Sequence, residues 1–81
     1  MKVDVTQEDI DQGKRFDWAA CPVANAIKRI LGDAMFVEVN YKYVYFAPYC
    51  EKASRLSEAA RKRIKTYDLT GEMQPFTLVL A

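Results

Sequence analysis

Polar and apolar residues alternate in four short stretches of the chain, which is the pattern expected of β-strands with one buried face. These stretches are residues 2–5, 34–40, 41–46 and 76–80. Two other segments repeat apolar residues at helical spacing, and a short helical turn is predicted over residues 7–12. The predicted order is therefore strand, helix, strand, strand, helix and strand, with the first helical region divided into two pieces.

The two longer helices have recognisable end signals. Pro22 suits the first turn of one helix, and Gly32 suits its end. Ser57 is placed to cap the other helix, which Gly71 ends. The core-facing positions are predicted to be Val23, Ala26, Ile27, Ile30 and Leu31 in the first helix and Ala60, Ile64 and Tyr67 in the second. Residues 47–54 are predicted to be a loop.

This order of elements is the split βαβ of the ferredoxin-like fold, an α+β arrangement in which both helices pack on one face of an antiparallel sheet. The alternative is an α+β domain with a helical amino-terminal arm and a three-stranded meander, because the strand at residues 2–5 is too short to decide. A chain of 81 residues has room for one core, so residues 1–81 are interpreted as a single domain.

Composition narrows the function classes. The chain is 51% hydrophobic and 28% charged, which is typical of a globular protein, and its formal net charge of +1 gives no overall attraction to nucleic acid or membranes. No stretch approaches the roughly 18 consecutive apolar residues of a membrane span, and the first residues lack the apolar segment of a secretory signal. We therefore expect a cytoplasmic protein with no membrane partner.

Histidine is absent from the chain, which removes Ser-His-Asp and Cys-His nucleophile arrangements and zinc sites built with imidazole. The glycines, Gly13, Gly32 and Gly71, are too far apart for a phosphate-binding loop. Cys21 is interpreted as a buried apolar residue and Cys50 as a more exposed loop residue, and free thiols are favoured over a disulfide. We therefore expect a protein that is not an enzyme and has no metal site and no cofactor.

Tyrosines occupy every second residue at the start of the stretch YKYVYF, residues 41–46. In an extended strand Tyr41, Tyr43 and Tyr45 would line one side. Val44 and Phe46 would lie on the other side. One interpretation is that the rings shield a small sheet while their hydroxyls stay in water. The other is a platform for a protein partner, a second copy of the chain or stacked bases, of which a protein partner is favoured.

Positive charge is concentrated on the last helix, in Arg61, Lys62, Arg63 and Lys65. The ordinary interpretation is a solvated helix face. The alternative is contact with phosphates or with an acidic protein surface, which predicts binding that weakens as salt rises. The candidate partner-binding residues are therefore these four basic residues together with the three tyrosines.

Further segments with a recognisable pattern are VTQEDI (5–10), Gly13, ACPVA (20–24), AIKR (26–29) and PFTL (75–78). In these segments the chain resembles a family of small proteins encoded in bacteriophage genomes. The resemblance covers most of the chain and carries over no catalytic residues. It implies an accessory factor in the cytoplasm of the host cell that binds and blocks a host machine, such as a CRISPR effector or another defence complex.

The leading hypothesis is a non-enzymatic protein-binding module that inhibits a bacterial defence complex by occupying a functional surface of it. The alternative is a small nucleic-acid-binding regulator, in which the tyrosines stack on bases and the basic helix contacts phosphates. The two hypotheses differ in the expected salt dependence of binding.

Overall fold

The computed structural model describes residues 2–32, 36–47 and 53–80 as an α+β fold. The strands are β1 (Lys2–Val5), β2 (Phe36–Val39), β3 (Tyr43–Ala47), β4 (Ala53–Arg55) and β5 (Phe76–Val79). The helices are α1 (Gln7–Asp11), α2 (Pro22–Leu31) and α3 (Glu58–Thr70). In the part of the chain that the structure describes, no helix has the length and apolar character needed to cross a membrane.

The strands form two antiparallel sheets rather than the single sheet of a ferredoxin-like fold. In one sheet β1 pairs with β5, and in the other the order is β2, β3, β4. A ferredoxin-like sheet would place β1 beside β3, but β4 pairs with that edge of β3. The predicted α+β class is confirmed, whereas the predicted strand order is not, because part of the predicted loop at residues 47–54 forms β4.

Local sequence signals determine where the helices begin and end. The Thr6 side chain accepts a hydrogen bond from the backbone N–H of Asp9, and the Asp9 carboxylate accepts from the backbone N–H of Thr6, so α1 starts with a capping box. The Ser57 hydroxyl caps α3 by accepting from the N–H of Ala60. Gly71 ends α3 with a φ of 77°, a conformation that glycine adopts without steric strain.

One hydrophobic core lies between the two sheets and the helices. Its fully buried side chains include Val3, Val5, Val23, Ile27, Val37, Val39, Val44 and Leu78. Helix α2 lies against both β1 and β2, so it bridges the two sheets. Within the core, Ala60, Ile64 and Tyr67 are buried as predicted.

The predicted core stripe of α2 is wrong at its carboxyl end. Ile30 is 45% exposed and Leu31 is 36% exposed, although both continue the helical spacing of Val23 and Ile27. The first two turns of α2 carry its buried residues, and the last turn extends past the core. Periodicity predicts which side of a helix is apolar, but it does not say how far along the helix the core extends.

Candidate functional site

Tyr43 and Tyr45 lie side by side on the outer face of the three-stranded sheet. Val44, between them in β3, is fully buried, so the strand alternates between core and surface as predicted. The two rings are half-buried, with centroids 6.1 Å apart and planes tilted by 53°. On the neighbouring strands Glu38 lies opposite Tyr45, and Arg55 lies opposite Tyr43. This tyrosine face, Tyr43 and Tyr45, therefore has one flanking charge of each sign.

Tyr41 does not belong to the strand that carries the other two tyrosines. The Asn40 side chain accepts hydrogen bonds from the backbone N–H groups of Lys42 and Tyr43, both at 2.7 Å, so the chain turns before β3 begins. The Tyr41 hydroxyl donates to Asp68 at 2.5 Å, and the Lys65 ammonium lies 5.7 Å from the centre of its ring. The predicted row of three tyrosines on one strand is therefore wrong at Tyr41, which packs toward α3.

The basic residues of α3 contact different neighbours. Arg61 donates from Nε to the backbone carbonyl of Tyr41 at 2.9 Å. The Arg63 guanidinium lies 4.8 Å from the centre of the Phe76 ring. The Lys62 ammonium is 3.7 Å from the Glu58 carboxylate, and both of these side chains are mostly exposed. With Lys65 beside the Tyr41 ring, all four cations have intramolecular contacts, and these contacts differ from one residue to the next.

A shallow depression lies between the end of β4 and part of the basic helix. Its volume is about 320 Å3, and Arg55, Arg61, Lys62 and Lys65 are among its lining residues. Arg55 is also the cross-strand neighbour of Tyr43. Arg55 therefore borders both the tyrosine face and the depression that three of the predicted basic residues line, whereas Arg63 lies toward β5.

Asp68 is a buried carboxylate that joins three segments distant in sequence. It is 3% exposed, and its two oxygens accept from the backbone N–H of Phe16 at 2.9 Å and from the Tyr41 hydroxyl. The Arg15 guanidinium donates to the backbone carbonyls of Asp68 and Leu69, at 2.9 and 2.8 Å. The hydrogen bond to Asp68 raises the pKa of the Tyr41 phenol, with a smaller contribution from burial, because both favour the neutral form.

Sequence reasoning missed Asp68, although one signal for it exists. Asp68 follows Ile64 by four residues, so it shares the buried side of α3 with the predicted core positions. A carboxylate on such a side needs hydrogen-bond donors from elsewhere in the fold. The sequence does not reveal that Phe16 and Tyr41 provide them.

A second group of residues that sequence reasoning missed is the aromatic loop surface, defined here as Phe16, Trp18 and Leu69. Their side chains are 64%, 52% and 73% exposed. Phe16 has a φ of 57°, and it is the one described non-glycine residue with a positive φ. The sequence does contain a signal for this surface. Two aromatic residues, Phe16 and Trp18, lie in a connector that has neither helical nor strand periodicity.

Cys21 is buried, as predicted, and caps α2. Its sulfur accepts from the backbone N–H of Ala24 at 3.4 Å, and the residue is 3% exposed. Burial raises the pKa of the Cys21 thiol, and the hydrogen bonds from Ala24 and Val23 oppose that shift only in part. The thiol is therefore a poor nucleophile. Cys50 lies outside the described residues.

A broad groove of about 840 Å3 lies between α1, α3 and the connector that follows Gly71. Ile10, Tyr67 and Met73 are among its apolar lining residues, and the lining also contains acidic, basic and amide side chains. A side chain at Gly13 would bring its Cβ within 2.7 Å of the Pro22 ring and 2.9 Å of the Tyr67 hydroxyl, so glycine is needed there. Within residues 2–32, 36–47 and 53–80, no group of three or more acidic or thiol side chains is arranged to hold a metal ion.

Comparisons with known proteins give no relative for this chain. No family model matches the sequence, and neither curated proteins nor solved structures provide a significant match.

Proposed function

We propose that this chain is a non-catalytic protein-binding module whose main contact surface is the tyrosine face. The observation that carries the proposal is the pair of neighbouring Tyr43 and Tyr45 rings on the side of β3 opposite the core. Tyrosine provides a large contact area with few rotatable bonds, and it is enriched among residues that dominate binding energy.

The surroundings of the rings favour a protein partner. The backbone of β3 is paired on both sides, by β2 and β4, so the two rings are held on a regular sheet. Glu38 and Arg55 flank the rings with opposite charges, which gives a polar rim around an aromatic centre. Lys62 and Lys65 extend this rim along the depression beside Arg55. Such a surface can orient a partner through charge and bind it through aromatic contact.

The resemblance to phage-encoded proteins suggests which partner this surface binds. We propose a host protein complex in the bacterial cytoplasm, of the kind that defends against phage, such as a CRISPR effector. The module would inhibit that complex by covering a functional surface. Nucleic acid is the weaker alternative, because Arg61, Arg63 and Lys65 already contact Tyr41 and Phe76 within the chain.

The test is affinity capture of host proteins by the wild-type chain, identification of the captured complex, and measurement of its affinity for purified variants. Replacement of Tyr43 and Tyr45 by serine is expected to weaken binding at least tenfold, since hot-spot aromatics each contribute roughly 2 kcal/mol or more. Val79→Ser is the matched control, because Val79 is a 60% exposed strand residue on the other sheet. This control should bind as the wild type does.

Two results would contradict the proposal. One is a folded double-serine variant that binds the identified complex with unchanged affinity. The other is binding of single-stranded or duplex oligonucleotides that weakens steeply with salt and is lost in the same variant, which would favour the nucleic-acid hypothesis. Circular dichroism of each variant confirms that the fold is retained.

A further inference from the structure

The residues of the aromatic loop surface are not part of the hydrophobic core. Phe16, Trp18 and Leu69 are each more than half exposed, although 81 residues offer few large apolar side chains to build a core. Single exposed apolar residues are ordinary on protein surfaces. Here, however, the residues lie on one hydrogen-bonded unit, because Arg15 joins the loop to the Leu69 carbonyl at the end of α3. A concentration of this kind is typical of an interaction site.

Hydrogen bonds hold the loop along its length. Its closing bond runs from the Lys14 N–H to the Ala20 carbonyl at 2.9 Å, and Trp18 accepts from the N–H of Val39 in β2 at 2.8 Å. The N–H of Phe16 donates to the buried Asp68. A partner that binds this surface therefore does not need to order the loop, which lowers the entropic cost of association.

The conformation of Phe16 is a second, independent indication. A bulky residue with positive φ places its Cβ against the neighbouring carbonyl, and glycine or asparagine would occupy this position with less strain. Strained residues of this kind persist where the surrounding structure fixes them, and they are concentrated at ligand-binding sites. The strain at Phe16 is explained if an aromatic ring is needed at that point of the surface.

The exposed charges beside the rings are positive, because Lys14 and Arg15 are exposed whereas Asp17 is half-buried and Asp68 is buried. Within the described chain, the ion pairs join Arg29 to Asp9 and Lys62 to Glu58, so Lys14 and Arg15 have no carboxylate within 4.0 Å. The acid of this loop is Asp17, whose carboxylate accepts from the backbone N–H of Ala19. Electrostatic complementarity therefore favours a partner that has carboxylates beside its apolar side chains.

We infer that Phe16, Trp18 and Leu69, flanked by Lys14 and Arg15, form a second docking surface that binds an acidic protein segment carrying apolar side chains. This surface is separate in sequence from the tyrosine face and does not depend on its function. A protein segment is favoured over single-stranded nucleic acid because Leu69 offers no ring on which a base could stack.

The test uses the whole chain as bait in a selection of random peptides, followed by fluorescence anisotropy with the selected peptides. The expected peptides combine Asp or Glu with Leu, Phe or Trp, and their affinity falls as salt rises. Combined replacement of Phe16 and Trp18 by serine should lower the affinity for the selected peptides at least tenfold. Leu69→Ser, on the exposed side of α3, should lower this affinity severalfold, and it does not alter the strained loop. The double serine variant of Tyr43 and Tyr45 should bind these peptides as the wild type does.

Charge is tested by Lys14→Glu, which should weaken peptide binding severalfold, with Lys2→Glu on exposed β1 as the matched control. The inference is overturned if selection yields no acidic and apolar peptides, or if the selected peptides bind both serine variants of the loop surface with unchanged affinity. Loss of peptide binding only in the Tyr43 and Tyr45 variant would place these peptides on the tyrosine face instead. Salt-sensitive oligonucleotide binding that requires Phe16 and Trp18 would also overturn it, in favour of a nucleic-acid surface.

Discussion

Asp9 and Asp68 are both buried carboxylates, but the fold satisfies them in different ways. Asp9 is 5% exposed, and it accepts from the backbone and hydroxyl of Thr6 and forms an ion pair with Arg29 at 3.2 Å. Asp68 is 3% exposed and accepts from the neutral donors of Phe16 and Tyr41.

The difference lies in what each carboxylate holds together. Asp9 fixes the start of α1 and connects it to α2, mainly through neighbours close in sequence. Asp68 connects α3 to a loop 52 residues earlier and to a turn 27 residues earlier. The Asp9 network joins the start of α1 to α2, whereas the Asp68 network determines where the proposed binding loop and the Tyr41 turn lie. Four substitutions can break or refine this comparison.

The largest effect is expected for Asp68→Ala. This change leaves the buried N–H of Phe16 and the Tyr41 hydroxyl without their acceptor, and each lost hydrogen bond to a charged group costs roughly 1.5–3 kcal/mol. We expect the free energy of unfolding to fall by about 3 kcal/mol or more, as measured by urea denaturation. Asp11→Ala, at an exposed carboxylate on α1, is the control and should change it by less than about 0.5 kcal/mol. A loss below about 1 kcal/mol for Asp68→Ala would show that the network is not a major contributor.

Tyr41→Phe removes one hydrogen-bond donor to Asp68 and leaves the Phe16 N–H in place. The ring remains, but the carboxylate loses one partner, so we expect the free energy of unfolding to fall by about 2 kcal/mol. Because the pKa of Tyr41 is raised above its ordinary value of 10.0, its neutral form stabilises the folded chain, and this contribution is lost as pH rises from 10.0 through the folded pKa. The variant should therefore lose less stability than the wild type above that pH. Equal losses would contradict the role of this hydrogen bond.

Asp9→Ala is expected to have a smaller effect, about 1.5 kcal/mol, because it removes a capping box and a partly exposed ion pair. Burial opposes ionisation of Asp9, but hydrogen bonds from Arg29 and Thr6 prevail and lower its pKa below the ordinary 3.8. Its contribution is therefore present above pH 3.8 and is lost as pH falls from there through the folded pKa. In acid titrations followed by circular dichroism, the variant should have a flatter dependence in that range, and a curve parallel to that of the wild type would contradict this role of Asp9.

Phe16→Gly is expected to change the free energy of unfolding least, and to raise it rather than lower it. Glycine removes the strain of the positive φ while retaining the N–H that donates to Asp68. After allowance for the greater freedom of the unfolded chain, thermal and urea unfolding should show a gain of about 0.5–1 kcal/mol. Binding through the aromatic loop surface should be lost at the same time. A marked loss of stability would show that the Phe16 ring is needed for packing.

The parts of the fold that depend on local signals were predictable from the sequence. Thr6 and Ser57 cap helices and Gly71 ends one, because these residues act on backbone groups within a few positions of themselves. The alternation of Tyr43, Val44 and Tyr45 was predictable because each side chain follows the pleat of its own strand.

The parts that depend on distant partners were not predictable in the same way. Strand β4 has only three residues and no clear alternation, and it is a strand because the edge of β3 pairs with it. Tyr41 continues the alternating pattern in sequence, but the Asn40 side chain binds the following N–H groups and turns the backbone. In the candidate site, the position of the loop that carries Phe16 and Trp18 depends on hydrogen bonds to α3 and β2, which no local pattern encodes.

The pairing of β1 with β5 has a consequence for the kinetics of folding. Across this sheet the Thr77 hydroxyl donates to the carboxylate of Asp4, 73 residues earlier in the chain. Joining segments so far apart costs chain entropy before any contact between them compensates, whereas the β2–β3 hairpin closes over a few residues. We therefore expect the hairpin to form early and the pairing of the last strand with the first to be the slower step.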